Sequence, residues 1–277
     1  DFRVAPIILI APPPPTGCPG SNCEDCLKDI HHTPSPQKNY NCSAILNYYV
    51  PKFYYKYASE IEYACDICPT ISALNLLNVV SFGCGAFPDL VGLATFLNKN
   101  NLNHQVNYTG IEINTFWQPV QKYVEQVVSQ NIQLNNLQLF NVDALSYVKN
   151  LINDVNVLIF QYLISTLLKY HDISVVQTFL NDVMANIVQY MPSKACIIFN
   201  DTNHYQQGRD LFENFGLTLQ SQGWNMLKYH FNNASNKYYT YGTKHNTNRV
   251  TSSIDPAIIG FCNPHNECSS AQIIIYR

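Results

Sequence analysis

A glycine-rich turn follows the first strand-like run of this 277-residue chain. Gly83 and Gly85 come directly after the apolar run Leu76–Phe82, and Pro88 and Asp89 follow as a typical helix start. Glycines let the backbone approach a ligand closely, and the first turn of a helix offers unpaired N–H groups. The turn is therefore a candidate ligand-binding loop.

Two carboxylates stand at equivalent places further along the chain. Glu112 ends the strand-like run Val106–Ile113, and Asp143 follows the run Leu137–Val142. Carboxylates accept hydrogen bonds from the hydroxyl and amino groups of a ligand. In an open parallel sheet such groups meet beyond the carboxyl ends of the strands, so the sequence predicts one binding site at that edge.

The elements that must position these groups alternate between strand and helix over residues 74–220, which predicts a parallel sheet with helices on both faces. The chain then ends in strand-like runs without helices between them, which predicts antiparallel strands added at one edge. The predicted strands are Leu76–Phe82, Val106–Ile113, Leu137–Val142, Val155–Phe160, Ala195–Phe199, Trp224–Phe231, Lys237–Tyr241 and Gln272–Tyr276.

This arrangement resembles the class I S-adenosylmethionine-dependent methyltransferases over about residues 74–277. The resemblance implies an α/β fold, a Rossmann-like three-layer sandwich whose mostly parallel, seven-stranded sheet has antiparallel final strands. It also implies S-adenosylmethionine as the cofactor. The residues that it assigns to the cofactor are Ser81, Gly83, Gly85 and Asp89 for the methionine part, Glu112 for the ribose, Asp143 with Ala144 for the adenine, and Gln161.

The loop departs from the family pattern at two positions. Ser81 stands where an acidic residue is usual, and Phe87 stands where a third glycine is usual. A phenylalanine at that position could crowd the amino-acid end of the cofactor, and the alternative is a shifted loop that accommodates it.

Residues after the fourth and fifth predicted strands would face a methyl acceptor. Tyr162 is one candidate, and Asp201 with His204 could form an acid–base pair. The alternative is that Asp201 and His204 cap the next helix and line a loop.

Residues 1–70 form a predicted N-terminal extension and helical cap, separate from a methyltransferase-like domain over residues 71–277. The stretch 48–63 is rich in tyrosine and is predicted to be helical. It is either a substrate-binding cap or hydrophobic packing on the sheet.

Eight of the ten cysteines lie in the first quarter of the chain or near its end, and Cys84 and Cys196 stand alone between them. The pairs Cys23-x-x-Cys26 and Cys65-x-x-Cys68 could hold one zinc ion, but an even set of cysteines and four Asn-x-Ser/Thr sequons favour disulfides. The disulfide candidates are Cys18, Cys23, Cys26, Cys42, Cys65, Cys68, Cys262 and Cys268, and the glycosylation candidates are Asn41, Asn107, Asn200 and Asn233.

The composition excludes several classes of protein. Charged residues make up 13% of the chain, which contains 16 Lys and Arg, so a phosphate-tracking nucleic-acid surface is not expected. No apolar run reaches the roughly 20 residues of a membrane span. The low charge and the cysteines predict a secreted protein, with a cytoplasmic one as the alternative.

Two functions remain open at this point. One is a methyltransferase acting on a small molecule or a protein. The other is a catalytically inactive secreted protein that retains the fold for structural or binding purposes, because fold alone does not settle function.

Overall fold

The structure is a computed structural model that describes residues 23–32, 40, 42–204, 208–231 and 241–277. Its centre is one sheet with the strand order β3-β2-β1-β4-β5-β8-β6-β7. The strands are β1 Leu76–Phe82, β2 Gln105–Ile111, β3 Gln133–Phe140, β4 Val157–Gln161, β5 Cys196–Thr202, β6 Asn225–His230, β7 Thr243–Lys244 and β8 Ser270–Tyr276.

The sheet confirms the expected fold class. Strands β1 to β5 pair in parallel, and β8 runs antiparallel to both of its neighbours, β5 and β6. The antiparallel strand is thus inserted within the sheet, not added at its edge. The two-residue β7 adds an eighth strand to the expected seven. Most of the strand predicted over Lys237–Tyr241 lies outside the described residues.

Ten α-helices connect and cover the described strands. They are α1 Cys23–His32, α2 Ser43–Ile67, α3 Pro69–Ser72, α4 Pro88–Lys99, α5 Gln118–Ser129, α6 Ala144–Tyr147, α7 Ile164–Tyr170, α8 Ile173–Asn186, α9 Arg209–Gln220 and α10 Pro256–Phe261. Single turns of 3-10 helix occupy Thr115–Trp117 and Val188–Tyr190. No helix among the described residues is long and apolar enough to cross a membrane.

Alternate residues of the central strands fill two separate cores. Leu77 and Val79 of β1 pack with α2, α4 and α5 on one face, whereas Val80 and Phe82 pack with α7, α8 and α9 on the other. This alternation follows from the strand period of two residues. Both faces are covered, as expected for a parallel sheet.

Helix α2, which contains the tyrosine-rich stretch, lies directly against α4. A Cβ atom added to Gly92 of α4 would lie 2.3 Å from the carbonyl oxygen of Ala58, so the two backbones approach closely. The prediction that this stretch is helical is confirmed.

Candidate functional site

The glycine loop adopts a backbone that favours glycine at both predicted positions. Gly83 has φ +68° and Gly85 has φ +49°, both in the left-handed region. The Gly83 N–H donates to the carbonyl oxygen of Ile111 at 2.8 Å, which ties the loop to the end of β2. A Cβ atom on Gly85 would meet nothing closer than Trp117 at 4.0 Å, so this part of the loop faces open space.

Phe87 does not crowd this space, contrary to the expectation from the sequence. Its side chain is fully buried, and its ring packs edge-on against Tyr108 with the ring centroids 5.3 Å apart. The room for the ring comes from Gly110 on β2, where an added Cβ atom would lie 3.0 Å from Phe87 and 2.7 Å from Cys84 Sγ. The ring therefore belongs to the core beneath the loop.

Ser81 and Asp89 also lie beneath the loop, and their contact with the methionine part of a cofactor stays a prediction. Both are buried, and neither lines the cavity described below. Tyr108 donates its hydroxyl hydrogen to Asp89 Oδ2 at 2.9 Å, and burial raises the pKa of Asp89 to about 6. Both side chains face the interior between α4 and the sheet. They therefore support the glycine loop from beneath.

Glu112 is fixed at the end of β2 by backbone donors. Its Oε2 accepts the Gly85 N–H at 2.9 Å, and its Oε1 accepts the Asn114 N–H at 2.8 Å. Burial raises the pKa of Glu112. Since each carboxylate oxygen has two lone pairs, the side chain keeps acceptor capacity toward a ligand.

Asp143 and Ala144 stand beside Glu112 across the sheet edge, at the start of α6. Asp143 Oδ1 accepts the Leu145 N–H at 3.2 Å as a helix cap. The exposed side chain of Ile113, directly after Glu112, adds an apolar surface next to them.

These groups line a cavity of about 540 Å³ at the carboxyl edge of the sheet. The glycine-loop half, over β1, β2 and β3, is lined by Gly83, Cys84, Gly85, Ala86, Glu112, Ile113, Asn114, Trp117, Val142, Asp143 and Ala144. The tyrosine half, over β4 and β5, is lined by Tyr49, Phe53, Lys56, Tyr57, Gln161, Tyr162, Thr202, Asn203 and Ser269. Tyr40, Tyr170 and Lys169 are also among the lining residues.

Tyr162 occupies the tyrosine half as the sequence predicted, directly after β4. Its φ is +54°, and its ring centroid lies 4.3 Å from that of Tyr57 on α2. Burial raises the pKa of Tyr162 well above its usual range, so the phenol stays protonated. The neighbouring Gln161 donates its amide hydrogen to the Tyr57 carbonyl oxygen at 2.8 Å, which holds α2 against the end of β4.

A buried carboxylate that the sequence did not single out organises this half. Glu60 on α2 is fully buried and accepts the Tyr162 hydroxyl at 2.9 Å and the Asn200 amide at 3.0 Å on Oε2. Its Oε1 accepts the N–H groups of Ser269 at 2.8 Å and Ser270 at 3.2 Å. Glu60 therefore joins α2 to β4, β5 and β8.

Two lysines line the cavity, and neither was predicted as a site residue. Lys56 lies one helical turn before Glu60, with its Nζ 5.4 Å from the Tyr162 ring centroid and 5.5 Å from that of Tyr57. Lys169, at the end of α7, is half-buried, and its pKa is lowered by that burial.

Asp201 does not act as the predicted acid–base partner in the cavity. It is fully buried, and its carboxylate accepts the N–H groups of Ser165 at 3.0 Å and Thr202 at 2.7 Å. Asp201 thus fixes the start of α7, which precedes β5 in the chain, to the end of β5, whereas the alternative expected from the sequence was a cap on the helix that follows. Neither Asp201 nor His204 is among the described residues that line the cavity.

Asn200 is also unavailable for its predicted modification. Its side chain is fully buried and its amide nitrogen donates to Glu60, so the fold leaves no room for a glycan there. The amide nitrogen of Asn107 is likewise engaged, donating to Asn78 at 2.8 Å within the sheet. Asn41 and Asn233 lie outside the described residues.

The cysteines do not form the predicted framework within the described part of the chain. No disulfide joins any two of the nine described cysteines, and Cys18 lies outside that part. No group of three or more His, Cys, Asp or Glu side chains is placed to hold a metal ion in the residues described. The secreted location stays a prediction from the sequence.

The strand order and register give the chain the Rossmann-like fold of the class I S-adenosylmethionine-dependent methyltransferases. No family model and no curated protein matches the sequence. The fold is similar to that of the plantazolicin methyltransferase BamL in complex with a triazolic desmethylPZN analogue and S-adenosylhomocysteine, at 12% identity and a TM-score of 0.49, over 92% of this chain and 95% of that one. It is also similar to magnesium protoporphyrin IX methyltransferase from Synechocystis PCC 6803, at 11% identity and a TM-score of 0.47, over 93% and 92% of the two chains.

Proposed function

We propose that the chain binds S-adenosylmethionine in the glycine-loop half of the cavity and transfers its methyl group to an acceptor, a small molecule or a protein side chain, in the tyrosine half. The observation that carries the proposal is the placement of Glu112. Its carboxylate is fixed beside an open glycine loop by Gly85 and Asn114, and Asp143 stands at the same edge.

The residues of the glycine-loop half fit this cofactor. The open space at Gly85 admits a ligand against the backbone, and Phe87 is packed in the core away from it. Glu112 would accept hydrogen bonds from the ribose hydroxyls, and Ile113 would contact an apolar face of the adenine. Asp143 and Ala144 would lie at the adenine edge, as the resemblance in sequence implied.

When bound, S-adenosylmethionine supplies a methyl group on a positively charged sulfur. The work of the protein is to hold an acceptor in line with that group, since positioning supplies a large share of catalysis. Tyr162 and Tyr57 provide ring surfaces on the acceptor side, and the Tyr162 hydroxyl is held by Glu60. The bound pair of ligands would displace water from a half whose lining includes the aromatic side chains of Tyr49, Phe53, Tyr57 and Tyr162.

Calorimetric titration with S-adenosylhomocysteine tests the cofactor site. Glu112→Gln should weaken binding by about 10- to 100-fold, because a hydrogen bond to a charged acceptor contributes about 1.5–3 kcal/mol. The control is Asp154→Asn, which removes an exposed carboxylate outside the cavity and should leave the affinity unchanged. Absence of binding at millimolar cofactor would reject the proposal.

The transfer step has its own test. Incubation of the protein with S-adenosylmethionine and a panel of carboxylic acids, phenols, amines and peptides should release S-adenosylhomocysteine with at least one acceptor. Cofactor binding without release over the whole panel would favour the inactive alternative.

A further inference from the structure

Lys56 is a buried cation at the wall of the tyrosine half. The residue is 8% exposed and lines the cavity. Its Nζ lies 3.9 Å from Glu60 Oε1, beyond hydrogen-bond distance, and no hydrogen-bond acceptor for it is found among the described residues. An ammonium group has three N–H donors, and the Lys56 side chain, which is 10% exposed, presents them to the open space of the cavity.

Glu60 does not satisfy these donors, because its oxygens already accept four other hydrogen bonds. Those bonds are 2.8 to 3.2 Å long and come from Tyr162, Asn200, Ser269 and Ser270. The ion pair keeps Lys56 near Glu60 but leaves its N–H groups available to a ligand in the cavity.

The place of Lys56 in the fold indicates which ligand it meets. Glu60, its nearest carboxylate, is bonded to β5 and β8, whereas the glycine loop follows β1. The Lys56 Nζ lies 5.4 Å from the ring of Tyr162, directly after β4, so Lys56 lies over the ends of β4 and β5 and not over the loop that follows β1. That region is the acceptor side of the cavity.

The side chains around Lys56 favour a particular shape of ligand as well as a negative charge. The rings of Tyr57 and Tyr162 flank the ammonium group, and Phe53 and Tyr49 continue the same wall. Aromatic walls favour flat, apolar ligands through offset stacking and edge-to-face contacts.

We propose that Lys56 binds a carboxylate of the methyl acceptor, and that the acceptor is a small carboxylic acid with an aromatic body. This inference rests on the proposed function, since it assigns the acceptor class of the same site. The carboxylate would give Lys56 the hydrogen-bond acceptor that the protein does not supply.

The test compares three aromatic acids with their neutral amides on protein saturated with S-adenosylhomocysteine. The pairs are benzoate, 4-hydroxycinnamate and indole-3-acetate with the matching amides, and calorimetry measures each affinity. At least one acid should bind about 10-fold or more tightly than its amide, as expected for a charge-assisted hydrogen bond. Lys56→Met should remove that preference, because it should weaken binding of the acid more than binding of the amide.

Lys52→Met is the matched control on the same helix. Lys52 pairs with Glu24 at 3.4 Å and does not line the cavity, so this variant should keep the preference for the acid. The comparison of acid with amide in the unaltered protein needs no variant, so a misfolded Lys56→Met would not remove the test.

Three outcomes would overturn the inference. If no acid binds better than its amide while S-adenosylhomocysteine binds, the acceptor class is wrong and the proposed function stands. If Lys56→Met weakens S-adenosylhomocysteine but not 5′-methylthioadenosine, which lacks the amino-acid carboxylate, Lys56 serves the cofactor instead. Absence of S-adenosylhomocysteine binding to the unaltered protein would reject both proposals.

Discussion

The hydrogen bonds that hold the glycine-loop half and the tyrosine half of the cavity join residues at very different separations along the chain. In the first, Glu112 accepts from Asn114 two residues away and from Gly85 27 residues away, and Asp143 caps its own helix. In the second, Glu60 accepts from Tyr162 and from Ser269, which are 102 and 209 residues away. One half is thus a local strand–loop–helix assembly, whereas the other exists only when the whole chain has folded.

The difference indicates how each half should respond to change. A substitution in the glycine-loop half alters a few neighbouring contacts and should affect ligand binding more than stability. A substitution at Glu60 removes the acceptor that joins four elements, so stability and the acceptor site should fail together. The three predictions below test this contrast, from the largest expected effect to the smallest.

Glu60→Ala should lower the free energy of unfolding by about 3–5 kcal/mol, because it leaves four buried donors without their acceptor. Urea denaturation measures the loss. Glu125→Ala, on α5 and half-buried, is the control and should change stability by no more than about 0.5 kcal/mol. A loss below about 1 kcal/mol for Glu60→Ala would show that the tyrosine half does not depend on this carboxylate.

The same contrast explains which parts of the site the sequence could predict. The glycine loop, Glu112 and Asp143 follow directly from strand ends and turn residues, which are local signals. Glu60 lies in the run Ala58-Ser59-Glu60-Ile61-Glu62, where nothing in the spacing marks it as buried. Its role depends on strands that come more than a hundred residues later in the chain, so local patterns could not reveal it.

Phe87 shows a case in which a local pattern was misleading and a second local signal could have corrected it. The position after the loop predicted a clash, but Gly110 lies in the middle of the run Tyr108-Thr109-Gly110-Ile111. A glycine inside a strand often marks the close approach of another group. Here that group is the Phe87 ring, although the pairing of the two positions was visible only in the structure.

Phe87→Gly tests whether the core beneath the glycine loop is independent of the cavity. The change removes a buried ring but relieves the left-handed backbone at φ +61°, so we expect a net loss of about 2–4 kcal/mol in unfolding free energy. The affinity for S-adenosylhomocysteine should stay the same within a few-fold. Tighter binding would mean that the ring does crowd the cofactor.

Gly110→Ala provides the companion variant, because its added methyl group would meet Cys84 and Phe87. Combined with Phe87→Gly, it should destabilise less than the sum of the two single changes, since the two sites share one space. Simple additivity would indicate that Gly110 does not make room for the ring.

Asp89→Asn has the smallest expected effect on the free energy of unfolding. Near neutral pH this effect has the opposite sign to that of Glu60→Ala. Asp89 is buried, and burial raises its pKa from 3.8 to about 6 although Tyr108 donates a hydrogen bond to Oδ2. The folded protein therefore binds a proton at a pH where the unfolded chain has already lost it. The contribution of Asp89 to stability falls as the pH rises from about 4 to 6, and the charged form remains unfavourable above that range.

Asparagine does not ionise as the pH rises. The stability of Asp89→Asn relative to the unaltered protein should therefore rise by about 2–3 kcal/mol between pH 4 and pH 7. Urea denaturation at several pH values measures the difference. A flat difference for Asp89→Asn would mean that the hydrogen bonds around Asp89 compensate its buried charge. A rising one would show that this charge beneath the glycine loop destabilises the fold near neutral pH.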